Sequence, residues 1–525
     1  MAISIGMTFA IVSAYCCVSI LIAYASNRQR RSSNDYLNAT GSLPTWIASI
    51  SFLACNCGTL EVLGLSGIAF RYGVQAFHFY WIGAIPAMLF LSFVMIPAYV
   101  ESGARSMPDY LGQRFGRKVR LLNAVAVLVS TALYTGISLY ALAEVTHITS
   151  NWSFLWAISI FGLITLEYVL IGGFRATVYN EILQFLFMFA GLVPLLYFAL
   201  KMQSDSAIHA GQYWHAWQAT PIFSTKSQLD LIGVVVGLGG AIGFSYWCTD
   251  YGLIQRALAA RDLESARRVP LLAGFGKLLF ATVVVVPVIL MSGHIQAWPP
   301  GRALDETAPA LIATLYGPRL MGLGITALIA GLLSGLAANI SAFSSLWTGE
   351  IYRPFLSPNR AESHYIRVGR AASICCVGIG FLVAFWTRSF ENLSGFILLI
   401  FSLFVAPFFA VLLSGMMSRR ITTDSAIAGA AAGILAGAGT HIAFAEKWIP
   451  IGSRLSADFY SAICSFAAAA LICNASHLLS RSARSPMRQQ DSSATKSVQL
   501  AASPLIWCLG GALLIVCLIA NVLWW

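Results

Sequence analysis

The sequence predicts an all-α, polytopic membrane protein, and three observations carry that expectation. Of its 525 residues, 58% are hydrophobic and only 10% charged, with a mean hydropathy of +0.75. A soluble fold of this size has too little interior to hide so much apolar surface. Apolar runs of about 20 residues, the length that crosses a bilayer, recur along the whole chain. The basic residues gather on alternate connections between those runs, as they do when positive loops stay in the cytoplasm.

Taken in order, the runs predict about fourteen transmembrane helices, at 5–25, 45–68, 76–99, 121–144, 153–171, 180–200, 230–249, 269–292, 320–347, 368–387, 392–415, 423–444, 458–478 and 504–523. With the N-terminus outside, the cytoplasmic connections hold 23 of the 32 Lys and Arg, against 8 on the other side and Lys277 within a span. The expected location is therefore the cell membrane, with both termini extracytoplasmic. The formal charge of +11 follows this topology and forms no basic face, which argues against nucleic acid as a partner. The first run has no basic leader and no small-residue cleavage site, so it reads as a retained helix. Residues 479–502 read as a polar, disordered cytoplasmic linker, and no soluble domain is expected. The cysteines lie mostly within apolar runs and read as small hydrophobes. Cys55 and Cys57 are included, because no further metal ligand stands at workable spacing from them.

Two spans look interrupted. In "SFLACNCGTLEVLGLSG", Ser51–Gly67, an asparagine, a glycine and a glutamate fall near the middle of the membrane. In "GLGGAIGFSYWCTD", Gly237–Asp250, four glycines crowd one span. Unwinding a helix in lipid is costly unless the freed backbone groups line a cavity or hold an ion. With the opening helix set aside, these are the first and sixth remaining spans, the corresponding positions of two five-helix halves. Such paired weak points indicate an inverted-repeat transporter with its site at the bilayer midplane. For the second cluster, close helix packing through glycine is the competing reading.

The sequence also resembles the sodium:solute symporter family, which includes the sodium/glucose cotransporters. The likeness covers about residues 35–420 and rests on "SMPDYLGQRFG" (Ser106–Gly116), "GGFRATVYNEILQ" (Gly172–Gln184), "YWCTDYGLIQRALAAR" (Tyr246–Arg261) and "SGLAANISAFSSLWTGEIYRPF" (Ser334–Phe355). It implies a LeuT-type fold, a 5+5 inverted repeat. Three regions are then expected: residues 1–43 as a leading helix and cytoplasmic loop, 44–420 as a ten-helix transporter core, and 421–525 as three further helices. The implied activity is sodium-coupled symport of a small organic solute by alternating access, without enzyme chemistry.

Carried over position by position, the resemblance assigns one coupling Na+ to the carbonyls of Ala54, Cys57 and Gly331 and the hydroxyl of Ser334. The family's second hydroxyl position is Gly335, where water or Ser51 is the possible substitute. Ala337 and Ala338 stand where some relatives add a second sodium. Against the family's sugar-binding pattern, Asn56 and Lys277 are kept and Tyr246 matches an aromatic inner gate. Glu61, Gly243 and Leu399 replace amides, and Tyr80 or Trp81 replaces a carboxylate. Each buried hydroxyl left unpaired costs about 1–3 kcal/mol, so a solute smaller or more apolar than a hexose is expected. Its site would comprise Asn56, Glu61, Trp81, Tyr246 and Lys277, and Glu181 occupies the acidic position on the ion's exit path.

Charged groups in mid-membrane are usually functional or paired. Glu61 reads as a solute contact and Asp250 with Lys277 as a structural pair. His78, Glu144, His147 and Glu167 read as interfacial, and Trp524 and Trp525 as an interfacial anchor. A proton-coupled or uncoupled carrier, or a transport-like membrane sensor, remains as the alternative at this stage.

Overall fold

The computed structural model describes residues 2–27, 32–38, 41–202, 214–217, 221–222, 229–292, 304–390, 393–479 and 502–525. Most of the predicted linker lies outside them. Among the described residues the chain is helical throughout, apart from short connections and one isolated bridge between Leu43 and Ala260. Ten helices are long and apolar enough to cross a membrane, and Ser13–Ser26, Thr45–Asn56 and Gly233–Thr249 are shorter apolar helices. Two of the ten, Leu60–Ser102 at 43 residues and Phe154–Met202 at 49 residues, each run through more than one predicted span.

The helices that position the site are α1 (Ala2–Asn27), α2 (Thr45–Asn56), α3 (Leu65–Tyr72), α4 (Arg117–Ser150), α5 (Phe154–Met202), α6 (Gly233–Thr249), α7 (Tyr251–Leu258), α8 (Leu263–Leu290), α9 (Pro318–Leu346), α10 (Leu393–Met417) and α11 (Pro504–Leu523). Helix α2 stops where the sequence predicts a break. Cys57 leaves helical geometry (φ −74°, ψ 44°), and its N–H turns back to the carbonyls of Leu53 and Ala54, both at 3.1 Å. The helix resumes in a wide π-type turn, Leu60–Gly64, that runs into α3. Such turns widen the backbone by one residue and are frequent at functional sites.

The second break differs from expectation. The chain leaves the helix at Asp250 (φ −59°, ψ 123°), after the glycine cluster, and Asp250 then caps α7 by accepting from the Leu253 N–H at 2.8 Å. The glycines stand in a wide π-type stretch, Gly233–Gly243, that opens α6 without breaking it, and they serve packing. A Cβ on Gly237 would lie 2.9 Å from the Phe459 carbonyl oxygen, and one on Gly243 would run into the Gly83 backbone. Close backbone approach is what glycine permits in membrane helices. Helix α5 bends at Gly173, whose φ of 62° is open to glycine at little cost, with Tyr36 packed against it.

Candidate functional site

The broken helix crosses α9 at a close backbone approach. A Cβ on Gly335 would stand 3.3 Å from the Gly58 Cα, and one on Gly331 would stand 3.0 Å from the Cys57 carbonyl oxygen. Ser334, between them on α9, is buried and donates to the Ala54 carbonyl at 2.9 Å. The four positions assigned to sodium are thus paired across the two helices, Gly331 with Cys57 and Ser334 with Ala54. Their chemistry suits a hard cation: carbonyl oxygens at the C-terminal, partially negative end of α2, and a hydroxyl whose lone pairs stay available while its proton is donated. Gly335 sits where the backbones nearly touch, so packing accounts for the missing hydroxyl. Ser51, the suggested substitute, donates its hydroxyl proton to Glu181 and, like Ser334, keeps its lone pairs.

Glu181 and Arg256 are both completely buried. The Arg256 Nε donates to one carboxylate oxygen at 2.9 Å and Nη2 to the other, while Nη1 holds the Gly252 carbonyl at 2.8 Å. This bidentate pair joins α5 to α7, and Ser51 brings in α2 one turn before Ala54. Sequence reasoning singled out Glu181 but missed Arg256, which lies in the quoted "LIQRALAAR" stretch and was open to notice as a cation in an apolar setting.

Lys277 pairs with Glu61 at 2.5 Å and also donates to the Asn56 side chain. The expected pairing with Asp250 is not found, because that carboxylate caps α7. The Lys277 ammonium also stands 5.2 Å from the Tyr80 ring and 5.4 Å from the Trp247 ring, placements favourable for a desolvated cation. Asn56 passes the chain on, its amide N–H donating to the Tyr246 hydroxyl at 2.8 Å. One string of contacts therefore runs Glu61, Lys277, Asn56, Tyr246, linking α3's entry turn, α8, α2 and α6.

That string borders a cavity of about 130 Å³. Asn56, Glu61 and Tyr246 line it, together with Phe79, Leu238, Ile242, Trp247 and Phe401 as an apolar wall. Trp81 does not line it. Its indole donates to His78 Nδ1 at 2.7 Å, and it packs on Phe77 and Trp524. His78 is accordingly buried, at 2% exposure, and not solvated: its Nε2 meets the Ala216 carbonyl at 3.1 Å. Trp524 belongs to the same aromatic cluster and is no free anchor. Of the polar lining residues that escaped the sequence reading, three bear on binding. Tyr134 has a buried hydroxyl without a hydrogen-bond partner, and the Asn339 amide has none among the described residues. The third is Tyr251, just past the second break. Nothing in an apolar helix tells which polar residue turns inward, so these three carried no distinguishing signal.

Residues 36–433 match the sequence profile of the family described as "Sodium:solute symporter family". The chain is 26% identical over 465 residues to a sodium/glucose cotransporter of Vibrio parahaemolyticus, covering 82% of this chain and 83% of that protein. It is 28% identical over 469 residues to a sodium/mannose cotransporter of Bos taurus, covering 82% and 78%. Among solved structures, a Na+-coupled sialic acid symporter in a substrate-bound outward-open state superposes with a TM-score of 0.77 at 15% identity, over 90% of this chain and 98% of that one. A second, MhsT in complex with L-phenylalanine, superposes with a TM-score of 0.52 at 12% identity, over 82% and 98%.

Proposed function

The chain belongs to the sodium:solute symporter family and is a multi-pass membrane carrier that couples solute transport to sodium; on that premise we propose that one sodium ion binds between the break in α2 and α9, and that the adjoining cavity takes a compact solute of no net charge. The observation that carries this reading is the Ser334–Ala54 contact at 2.9 Å, which gathers the carbonyl end of α2 and a hydroxyl beside the cavity.

A single ion agrees with the buried charges. Around the break, Glu61, Glu181 and Asp250 face Lys277 and Arg256, leaving one formal negative charge in excess. Uncompensated charge is costly in a membrane interior, and one sodium offsets it. The solute's lack of net charge is inferred from the Glu61–Lys277 pairing, in which each charge is already met by the other. Tyr134, Asn339 and the Tyr246 hydroxyl hydrogen supply the polar contacts, and the wall of Leu238, Ile242, Trp247 and Phe401 supplies apolar burial. The relatives are named for glucose and mannose. A hexose fits this cavity poorly, because Gly243 has no room for an amide side chain beside Gly83, and Leu399, the other position that lacks the amide, is not part of the lining.

In this scheme sodium binding favours the conformation that holds the solute, and no covalent step occurs; the coupling equals the ion's differential affinity for the two states. Residues 44–420 form the core, the chain lies in the cell membrane, and Glu181 stands on the ion's path to the cytoplasm. Proteoliposomes carrying the purified protein, screened against neutral and charged small solutes with and without an inward sodium gradient, test the reading. Uptake of a neutral solute that collapses without the gradient is expected; preference for an anionic or cationic solute would refute the charge argument.

A further inference from the structure

A second cavity, of about 300 Å³, lies next to the central one. It is polar, with Arg105, Arg120, Arg353, Asp109 and Glu350 in its lining, and its walls come from segments that the topology places on the cytoplasmic side. Tyr251 is the single residue shared between the linings of the two cavities. We propose that the Tyr251 side chain, distinct from the Tyr246 that matches the family's inner gate and lines the central cavity alone of the two, is the barrier between that cavity and this vestibule, and that its displacement lets the solute leave towards the arginines. The proposal rests on reading the central cavity as the solute site and goes beyond it by identifying the way out.

Four further features fit a barrier that moves. Tyr251 follows the non-helical Asp250 directly, so a small change in the torsions of one residue swings its ring. The helix it begins is anchored five residues on, where Arg256 grips Glu181, so motion at its start need not displace its end. The ring packs with Ala342 and Leu346 of α9 and with Val127 and Leu128 of α4, a small apolar cluster separate from the main core. Leaving such a cluster exposes little apolar surface and costs correspondingly little. The Tyr251 hydroxyl has no protein hydrogen-bond partner among the described residues, so no specific bond holds the ring shut.

Cys55 allows a test that needs no knowledge of the solute, because it lines the central cavity and not the vestibule. The full chain in detergent is exposed to sulfonatoethyl methanethiosulfonate, a charged thiol reagent that travels through water, and labelling of the Cys55 peptide is followed by mass spectrometry. Tyr251→Ala should be labelled roughly tenfold faster than the unaltered protein, since labelling follows the population of the open path. Tyr251→Phe, which keeps the ring, should stay within about twofold of it, and it serves as the control should the alanine variant fold poorly. Equal rates in all three proteins, or slowing in Tyr251→Ala with a normal melting profile, would overturn the barrier. The site reading is judged separately by whether a transported solute protects Cys55: loss of protection with intact Tyr251 dependence condemns the site and leaves the barrier standing.

Discussion

At the scale of single residues, the central cavity is governed by one buried pair. Removing one partner of such a pair leaves an uncompensated charge and typically costs about 3–5 kcal/mol, whereas removing both is far milder. Lys277→Met should therefore lower the melting temperature clearly, and Glu61→Gln less so, because Lys277 keeps Asn56 and the faces of Tyr80 and Trp247. The double variant should be more stable than Lys277→Met alone; strict additivity in a thermal-melt cycle would show the two groups to be energetically independent. At the ion site, Ser334→Ala should raise the sodium needed for half-maximal uptake roughly five- to tenfold, the worth of one good oxygen contact. Gly335 separates packing from ligation. Either Gly335→Ala or Gly335→Ser presses a Cβ towards the Gly58 Cα, so the comparison between the two isolates the hydroxyl. Gly335→Ser should need less sodium than Gly335→Ala, and identical sodium titrations would mean that position 335 lies beyond the ion's reach.

At the scale of elements, the break in α2 was legible because Asn56, Gly58 and Glu61 interrupt an apolar run, a contrast visible in one dimension. The break after α6 was misplaced onto the glycines because the same residue serves unwinding and close packing, and only the neighbouring Phe459 and Gly83 backbones decide between them. Partners were harder still. Lys277 could be recognised as a charge needing company, but whether α8 turns it to Glu61 or Asp250 depends on helix rotation, which composition does not encode. Another element makes a pH-dependent prediction. Asp305 lies in the short turn Leu304–Glu306, outside the spans, and its carboxylate caps the start of α10 through the Leu393 N–H at 2.9 Å. Burial, aided by Glu144 and Glu306, pushes its pKa from 3.8 up to about 6, against the opposing pull of that N–H. The folded state then holds this proton more tightly than the unfolded chain does. Its contribution to stability is full below 3.8 and is lost as pH rises through about 6. The melting temperature of the unaltered protein relative to Asp305→Asn should accordingly fall as pH is raised across that window. A flat difference would show that Asp305 does not titrate there.

At the scale of the whole molecule, contacts between distant segments sort themselves by the sides that the basic residues predict. Ala216 bonds to the Trp524 carbonyl at 2.6 Å, Trp217 to Asn521 at 2.9 Å, and Trp524 stacks on Phe77, so three segments expected outside the cell meet in one cluster. At the opposite end Ser106 donates to Glu350 at 2.7 Å, Arg120 bonds to the same carboxylate, and Leu43 meets Ala259, all in segments expected in the cytoplasm. An odd number of misassigned crossings between any two of these segments would have put members of one cluster on opposite faces. The contacts thus constrain the parity of the crossings, while the Lys and Arg distribution supplies the absolute direction. Because Trp524 and Trp525 are engaged in the outer cluster, a bulky C-terminal fusion would disturb what it reports on, and a better tag is a single cysteine in an exposed connection. Lys447→Cys, between the helices Thr423–Ala445 and Arg454–Leu479, should react in intact cells with a membrane-impermeant maleimide. Arg360→Cys, in the exposed connection before the helix Glu362–Thr387, should react only after the cells are opened. Labelling at Arg360→Cys in intact cells with none at Lys447→Cys would invert the molecule in the membrane and place the arginine-lined vestibule on the outer side.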